Sequence, residues 1–226
     1  MRRAATASLA LVVILVACSA PPSPTSHLAG CPTTAPTAAG ASAILAGARR
    51  AVVVTRLGSF TIELDPRSAP IATANFVALA RCGFYAQISF HRVLAGFVAQ
   101  AGDPQTRSNH GALTGPSNGG PGYHYAVEFP ADDQRYDTYT VAMANSLQYD
   151  PASGAITGGT DTNGSQFFID LANLSGRLRR YYSIIGRVVA GSDVIDAIGA
   201  VRVDNPSHGL PLDPVIIESV TIKGGG

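Results

Sequence analysis

The chain has no tryptophan, a single lysine (Lys223), two methionines and three cysteines among its 226 residues. Charge is also scarce: 14% of residues are charged, and 16 basic against 15 acidic side chains leave a formal net charge of +1. A nucleic-acid-binding face or an electrostatic hold on anionic lipid needs a cationic surplus, which this balance does not provide. The arginines are dispersed except at Arg177, Arg179 and Arg180. The apolar run at residues 9–16 falls short of the about 20 residues of a membrane span. No internal repeat is visible. Two motifs fail on context. Asp161-x-Asn163 lacks the further ligands and terminal Glu of a calcium loop. Gly115-Pro116-Ser117-Asn118-Gly119 fits the hydrolase pattern Gly-x-Ser-x-Gly, but Gly and Pro flank it where that elbow needs a strand before and a helix after. Neither a metal nor a cofactor is called for.

What is present supports one domain with a substantial core, since 46% of residues are hydrophobic. Residues 1–17 read as a signal peptide: Arg2 and Arg3 form a positive start, residues 9–16 an apolar stretch, and Leu15-Val16-Ala17-Cys18 closes it with small residues. The tetrapeptide resembles a bacterial lipobox, which implies acylation of Cys18 and an exported protein anchored by lipid to the outer face of the bacterial cytoplasmic membrane. Residues 19–48, rich in Pro, Ser, Thr, Ala and Gly, cannot bury enough surface to offset ordering entropy and read as a disordered tether. The domain is expected over residues 49–226. Cys31 falls in the tether and Cys82 in the domain. In an exported chain they are either bridged or two separate thiols, and the sequence leaves both readings open.

Within the domain, residues 51–56 and 59–64 are β-rich runs around a tight turn at Leu57-Gly58. Helical spacing follows over residues 71–81, with Gly83 as a stop. Residues 90–94 alternate as a strand, predicting Phe90, Arg92 and Leu94 on one face and His91 and Val93 on the other. Gly96 then allows a bend that re-aims Phe97 and Gln100 towards Arg92. A glycine-rich loop covers residues 104–123. Further strands are expected at 139–144, 166–171, 182–189 and 214–222, with a short helix over 191–198.

Three blocks in order carry a family resemblance. Phe90-His91-Arg92-Val93 with Gly96-Phe97-Val98-x-Gln100-x-Gly102-Asp103, then Met143-Ala144-Asn145, then Asn163-Gly164-Ser165-Gln166-Phe167-Phe168-Ile169 resemble the signatures of the cyclophilin-type peptidyl-prolyl isomerases. The resemblance spans about residues 51–222. It implies a mainly β fold, a closed eight-stranded antiparallel barrel capped by two α-helices, and an activity on X-Pro bonds of polypeptides, here exported ones. It assigns Arg92, Phe97 and Gln100 to catalysis, and Val98, Ala144, Asn145, Ser146, Gln166, Phe168, Leu178 and Tyr182 to the substrate groove. Phe97, Val98, Phe168 and Leu178 would line a proline slot, while Gln100, Asn145 and Gln166 would hold the substrate backbone.

Departures from the pattern are Ala95 for a frequent Pro, Val98 for a frequent Met, Tyr182 for the His of eukaryotic members, and Ile185 for a common Phe. Basic residues stand around Arg177, where many members place an aromatic ring that binds cyclosporin, so weak binding of that ligand is expected. Residues 146–160 form an insertion beside the groove. A monomer is expected. The alternative function is a proline-peptide-binding chaperone or adaptor without turnover.

Overall fold

The computed structural model describes residues 28–224 except 68, 109, 110 and 114. The signal peptide, Cys18 and the start of the tether lie outside the described residues. In chain order the elements are α1 (Ala38–Leu45), β1 (Arg50–Thr55), β2 (Gly58–Leu64), α2 (Pro70–Arg81), β3 (Ser89–Leu94), β4 (Val98–Ala101), β5 (Thr140–Met143), β6 (Gln148–Tyr149), β7 (Ile156–Gly158), β8 (Phe167–Asp170), β9 (Ile184–Ala190), α3 (Ser192–Gly199) and β10 (Val215–Lys223). Eight strands close into an antiparallel barrel in the order β1-β10-β3-β4-β8-β5-β9-β2, and β6 and β7 form a separate two-stranded sheet.

Strand alternation sorts each barrel strand into an inner and an outer row. Val53, Phe60, Ile62, Ala99, Ala101, Val141, Met143, Phe167, Ile169 and Ile185 face the core inside. Val98, Ala142, Phe168 and Ile184, the alternate residues of β4, β5, β8 and β9, belong to a second apolar cluster on the outer side of the wall. Inside, the rings of Phe60, Phe76, Tyr85, Phe90 and Phe167 form a chain of contacts with centroids 5.1–6.4 Å apart. Fully burying one such side chain stabilises the fold by roughly 1.5–3 kcal/mol.

The predicted alternation along β3 does not hold through its first half. In the pairing of β3 with β4, Phe90 opposes Ala101 and Arg92 opposes Gln100, so two steps on β3 match one on β4. His91 is the extra residue of a β-bulge, and the bulge reverses the parity. Phe90 therefore enters the core while Arg92 faces out, where the sequence placed them on one face. Gly96, at φ 65°, sits in the tight turn that joins β3 to β4.

Two helices close the barrel as expected. α2 leaves the end reached by Leu64 and buries Ala72, Phe76, Val77 and Leu79. α3 lies at the other end, beside the β1–β2 turn, and buries Val194, Ile195 and Ile198. Ala69, at the N-cap of α2, has no side-chain acceptor. Glu128 supplies one from 56 residues away, accepting from the Ile71 and Ala72 amides at 3.1 and 2.7 Å. An acidic group at a helix N-terminus also meets the positive end of the helix dipole.

A third helix corrects the expected disorder up to residue 48. α1 packs on α2; Thr37 Oγ1 accepts from the Gly40 amide at 3.1 Å, and Arg81 donates to the Ile44 carbonyl. Eight residues are too few for a helix to stand alone in water. Docking holds this one, with Cys31, Ala35, Ile44 and Leu45 against the core. A disulfide joins Cys31 to Cys82, at the C-cap of α2, and closes the reading left open. A cross-link over 51 residues restricts the unfolded chain and typically stabilises a fold by about 2–4 kcal/mol.

Candidate active site

The outward row of β3, β4, β8 and β5 carries the site. Register aligns Arg92 with Gln100, Gln100 with Phe168, and Phe168 with Ala142 on four neighbouring strands. Residues directly opposite on adjacent strands have neighbouring side chains. A guanidinium, an amide, a phenyl ring and a methyl group thus stand side by side across the barrel wall.

Arg92 is half-buried, and burial lowers its pKa from the ordinary guanidinium value. It forms no ion pair with a carboxylate among the described residues; its one hydrogen-bond partner there is Gln100 Oε1, accepting from Nη1 at 3.4 Å. From Gln100 an amide chain runs inward. Gln100 Nε2 donates to Gln166 Oε1 at 2.9 Å, and Gln166 Nε2 donates to Asp103 Oδ2 at 3.1 Å and to the Gly119 carbonyl at 3.0 Å. Buried Asp103 also accepts from the amides of Gln105 and Gly119, at 2.9 and 3.1 Å. Gly102, at φ 98°, lets the backbone come close: a Cβ there would lie 2.5 Å from the Ser165 carbonyl oxygen.

Ser117 completes this support. Its hydroxyl lies 2.9 Å from Nε2 of buried His91, 3.1 Å from Asp103 Oδ2 and 3.0 Å from Gln166 Oε1. Burial lowers the His91 pKa, which keeps the ring neutral. The grouping brings together serine, histidine and aspartate but not in the order of a hydrolase. There a carboxylate orients His Nδ1, whereas here no carboxylate among the described residues hydrogen-bonds His91 Nδ1 and Asp103 contacts the serine. Ser117 lies in a loop without a strand or helix on either side. The arrangement locks Gln166 in place.

The apolar half of the site is the outer cluster. Val98, Ala142, Phe168 and Ile184 form its floor, and Phe97, Ala144, Leu178 and Tyr182 pack against it partly exposed. Tyr182 stands edge-on to Phe168, centroids 5.2 Å apart. Its backbone is clasped by one hydroxyl: Tyr136 Oη donates to the Tyr182 carbonyl at 2.9 Å and accepts from its amide at 3.0 Å. Next to this slot a recess of about 100 Å³ is lined by Gln100, Gly119, Asn145, Thr162 and Gln166, among others. The site thus offers a half-buried cation beside an apolar slot, a combination suited to gripping an apolar ring while polarising an amide.

A family model described as cyclophilin type peptidyl-prolyl cis-trans isomerase matches residues 50–222. The chain belongs to the cyclophilin family. It is 36% identical over 190 residues to a probable peptidyl-prolyl cis-trans isomerase A of Mycobacterium bovis, covering 76% of this chain and 91% of the relative. It is 34% identical over 168 residues to peptidyl-prolyl cis-trans isomerase-like 3 of Dictyostelium discoideum, covering 74% and 91%. Among solved structures, a Cryptosporidium parvum cyclophilin superposes with a TM-score of 0.64 at 28% identity, covering 79% of this chain and 99% of that one. A second structure of that protein, in the presence of the dipeptide Ala-Pro, gives a TM-score of 0.63 at 28% identity over 78% and 99%.

The cyclophilin site gathers most of the residues read from the sequence: Arg92, Gln100 and Gln166 in one chain of hydrogen bonds, Phe97, Val98, Ala144, Phe168, Leu178 and Tyr182 in one cluster. Gln166 and Asn145 have their side-chain amides engaged within the protein. The Gln166 amide is taken up internally, so it orients Gln100. Asn145 Nδ2 donates to the Tyr181 carbonyl at 2.8 Å and its Oδ1 accepts from the Leu147 amide at 3.1 Å, so its side chain pins two loops together. Ser146 is exposed at the base of the inserted hairpin, its amide donating to Thr162 Oγ1 at 3.0 Å. Sequence reading missed Asp103, Ser117, Tyr136 and Ala142 as site supports. Asp103 sat within the first block of the resemblance and Ser117 within the rejected Gly-x-Ser-x-Gly pattern.

It also missed Asp170, which pairs in register with Val98 and is fully buried with neither carboxylate oxygen hydrogen-bonded among the described residues. Burial, with a smaller contribution from the nearby Asp137 charge, pushes its pKa up to about 8. The folded-state value exceeds the unfolded one near 3.9. Between about pH 4 and 8 the native state therefore holds a proton that the unfolded chain has released. Stability is full below that window and is lost as pH rises through it. Asp170→Asn is expected to remove this loss: its melting temperature relative to wild type should climb steadily from pH 4 to pH 8. Parallel melting curves across that range would contradict the assignment.

Proposed function

We propose that this peptidyl-prolyl isomerase works with Arg92 as its electrophile and the outer cluster as its proline slot, on exported polypeptides, tethered to the bacterial membrane by lipid on Cys18. The observation that carries the reading is the half-buried guanidinium without an ion-pairing carboxylate among the described residues. A cation withdrawn from water with no counter-charge costs free energy unless something else engages it. An amide in mid-rotation is such a partner.

An X-Pro bond crosses a barrier of about 18–20 kcal/mol because rotation breaks amide resonance. Raising the rate from ~10⁻² to ~10³ s⁻¹ takes roughly 7 kcal/mol off that barrier. No nucleophile or proton transfer is needed. In the twisted state the nitrogen regains its lone pair, and a donor aimed at the prolyl residue stabilises that state more than the planar one. Arg92 serves because its fork stays charged and presents several N–H groups in one plane. Phe97, Val98, Phe168, Leu178 and Tyr182 hold the pyrrolidine ring, Gln100 shares the substrate backbone with Arg92, and Ala144, Asn145 and Ser146 border the path of the chain. Retention of this cation beside the slot favours turnover over a passive adaptor.

The export reading is supported by the lipobox-like Leu15-Val16-Ala17-Cys18 and agrees with a disulfide in the folded domain, since such bonds persist in oxidising compartments. In bacteria expressing the full chain, Cys18→Ser is expected to move the protein from the membrane to the soluble fraction; retention on the membrane would count against the lipid anchor. In a coupled assay on a short X-Pro peptide, Arg92→Ala is expected to lower kcat/KM by about 10²–10³-fold with an unaltered melting temperature. Activity within a factor of two of wild type would exclude Arg92 as the electrophile.

A further inference from the structure

Among the described residues, five large hydrophobic side chains are exposed, and three of them gather at one edge of the groove: Phe129 at 43%, Tyr149 at 42% and Ile156 at 40%. Tyr149 and Ile156 are cross-strand partners in the hairpin β6–β7, within the insertion. The Tyr181 ring connects them to the domain, with centroids 5.3 Å from Tyr149 and 6.3 Å from Phe129. Tyr181 precedes Tyr182, the wall of the proline slot, and the Tyr149 hydroxyl contributes to raising the Tyr182 pKa, after burial. The hairpin's aromatic cluster therefore adjoins the slot through two neighbours in the chain, Tyr181 against Tyr149 and Tyr182 against Phe168.

A two-stranded hairpin is marginal by itself in water, yet this one is held at several points. Arg179 lies over the Tyr149 ring, 5.1 Å from its centroid, and donates to the Pro151 carbonyl at 2.9 Å. The Tyr181 hydroxyl donates to the Gly154 carbonyl, and Asn145 Nδ2 reaches the Tyr181 carbonyl from the other side. Rings fixed in this way lose little freedom when a ligand arrives. Exposed aromatic area that is rigid and contiguous with a ligand slot is the usual make-up of a binding surface.

We propose that the hairpin extends the substrate groove: Tyr149, Ile156, Tyr181 and Phe129 form a shelf that takes an aromatic side chain of the polypeptide close to the proline. The inference rests on the slot assigned above. The shelf is carried by Tyr181, next to Tyr182 in the chain, and an extended polypeptide advances about 3.3 Å per residue, so a side chain roughly two or three residues from the proline is in its reach. Aromatic contacts of this kind are worth about 0.5–1.5 kcal/mol, or about 2- to 12-fold in affinity.

Binding is read by fluorescence anisotropy with the folded full-length domain and three labelled peptides: alanine on both sides of one Ala-Pro unit, or a single tyrosine two or three positions before it, or the same after it. Wild type is expected to bind one tyrosine peptide about 2- to 12-fold more tightly than the alanine peptide. Tyr149→Ala and Ile156→Ser, both surface changes, are expected to bring that ratio close to one. A ratio near one in wild type, or a preference that survives both substitutions, overturns the proposal. So does a wild-type dimer at assay concentration that Tyr149→Ala dissociates, because a second copy would then cover the shelf. Isomerisation of the alanine peptide by wild type, run in parallel, keeps the two readings apart. Rapid isomerisation without a tyrosine preference defeats the shelf alone, and absence of isomerisation together with absence of binding defeats the slot as well.

Discussion

The site exists because β3 gains one residue against β4. Strict alternation would place Phe90 and Arg92 on the same side of the barrel wall, and neither placement would work. With both inside, a guanidinium would sit among aromatic rings. With both outside, Phe90 would leave a hole between Phe60 and Phe167. The bulge at His91 sends the ring in and the cation out within three residues. The displaced imidazole is buried beneath the surface, where Ser117 receives it and where burial keeps it uncharged.

The outward cation is held by support in layers. A long arginine on an open wall would sample many rotamers, at a cost of up to about 2 kcal/mol to order. Here its neighbour Gln100 is fixed by Gln166, which is fixed in turn by Asp103, Ser117 and the Gly119 carbonyl. The apolar half has its own support, since one phenol, Tyr136, holds both backbone groups of Tyr182. Polar and apolar halves meet at Phe168, which shares a register row with Gln100 and a ring contact with Tyr182.

Period-two patterning and turn residues made the barrel strands legible from the sequence, and the ordered blocks hold Arg92, Gln100 and Phe168, which share one outward row of β3, β4 and β8. The unread parts share a cause: each depends on a contact distant along the chain. His91 looks like any strand residue, and only pairing with β4 shows that it is supernumerary. α1 has weak helix signals and depends on α2 and on the link to Cys82. Asn145 and Gln166 carry the right side chains, but their amide partners lie on loops whose approach no local pattern encodes. Asp170 reads as the polar end of a strand until neighbouring elements bury it. The inserted hairpin, with Gly, Ser and Pro spread among its residues, shows no strand pattern by itself, and it takes its shape from Arg179 and Tyr181.

The central claim is geometric: a cation and a proline slot on one face of the wall act together on a single imide bond. Its most direct test is a crystal structure of the protein with a bound peptide containing one Ala-Pro unit. The account predicts the pyrrolidine ring between Phe97, Phe168 and Leu178, with the Arg92 guanidinium about 3 Å from the prolyl residue. A ring bound elsewhere on the barrel, with Arg92 turned to solvent, would contradict it.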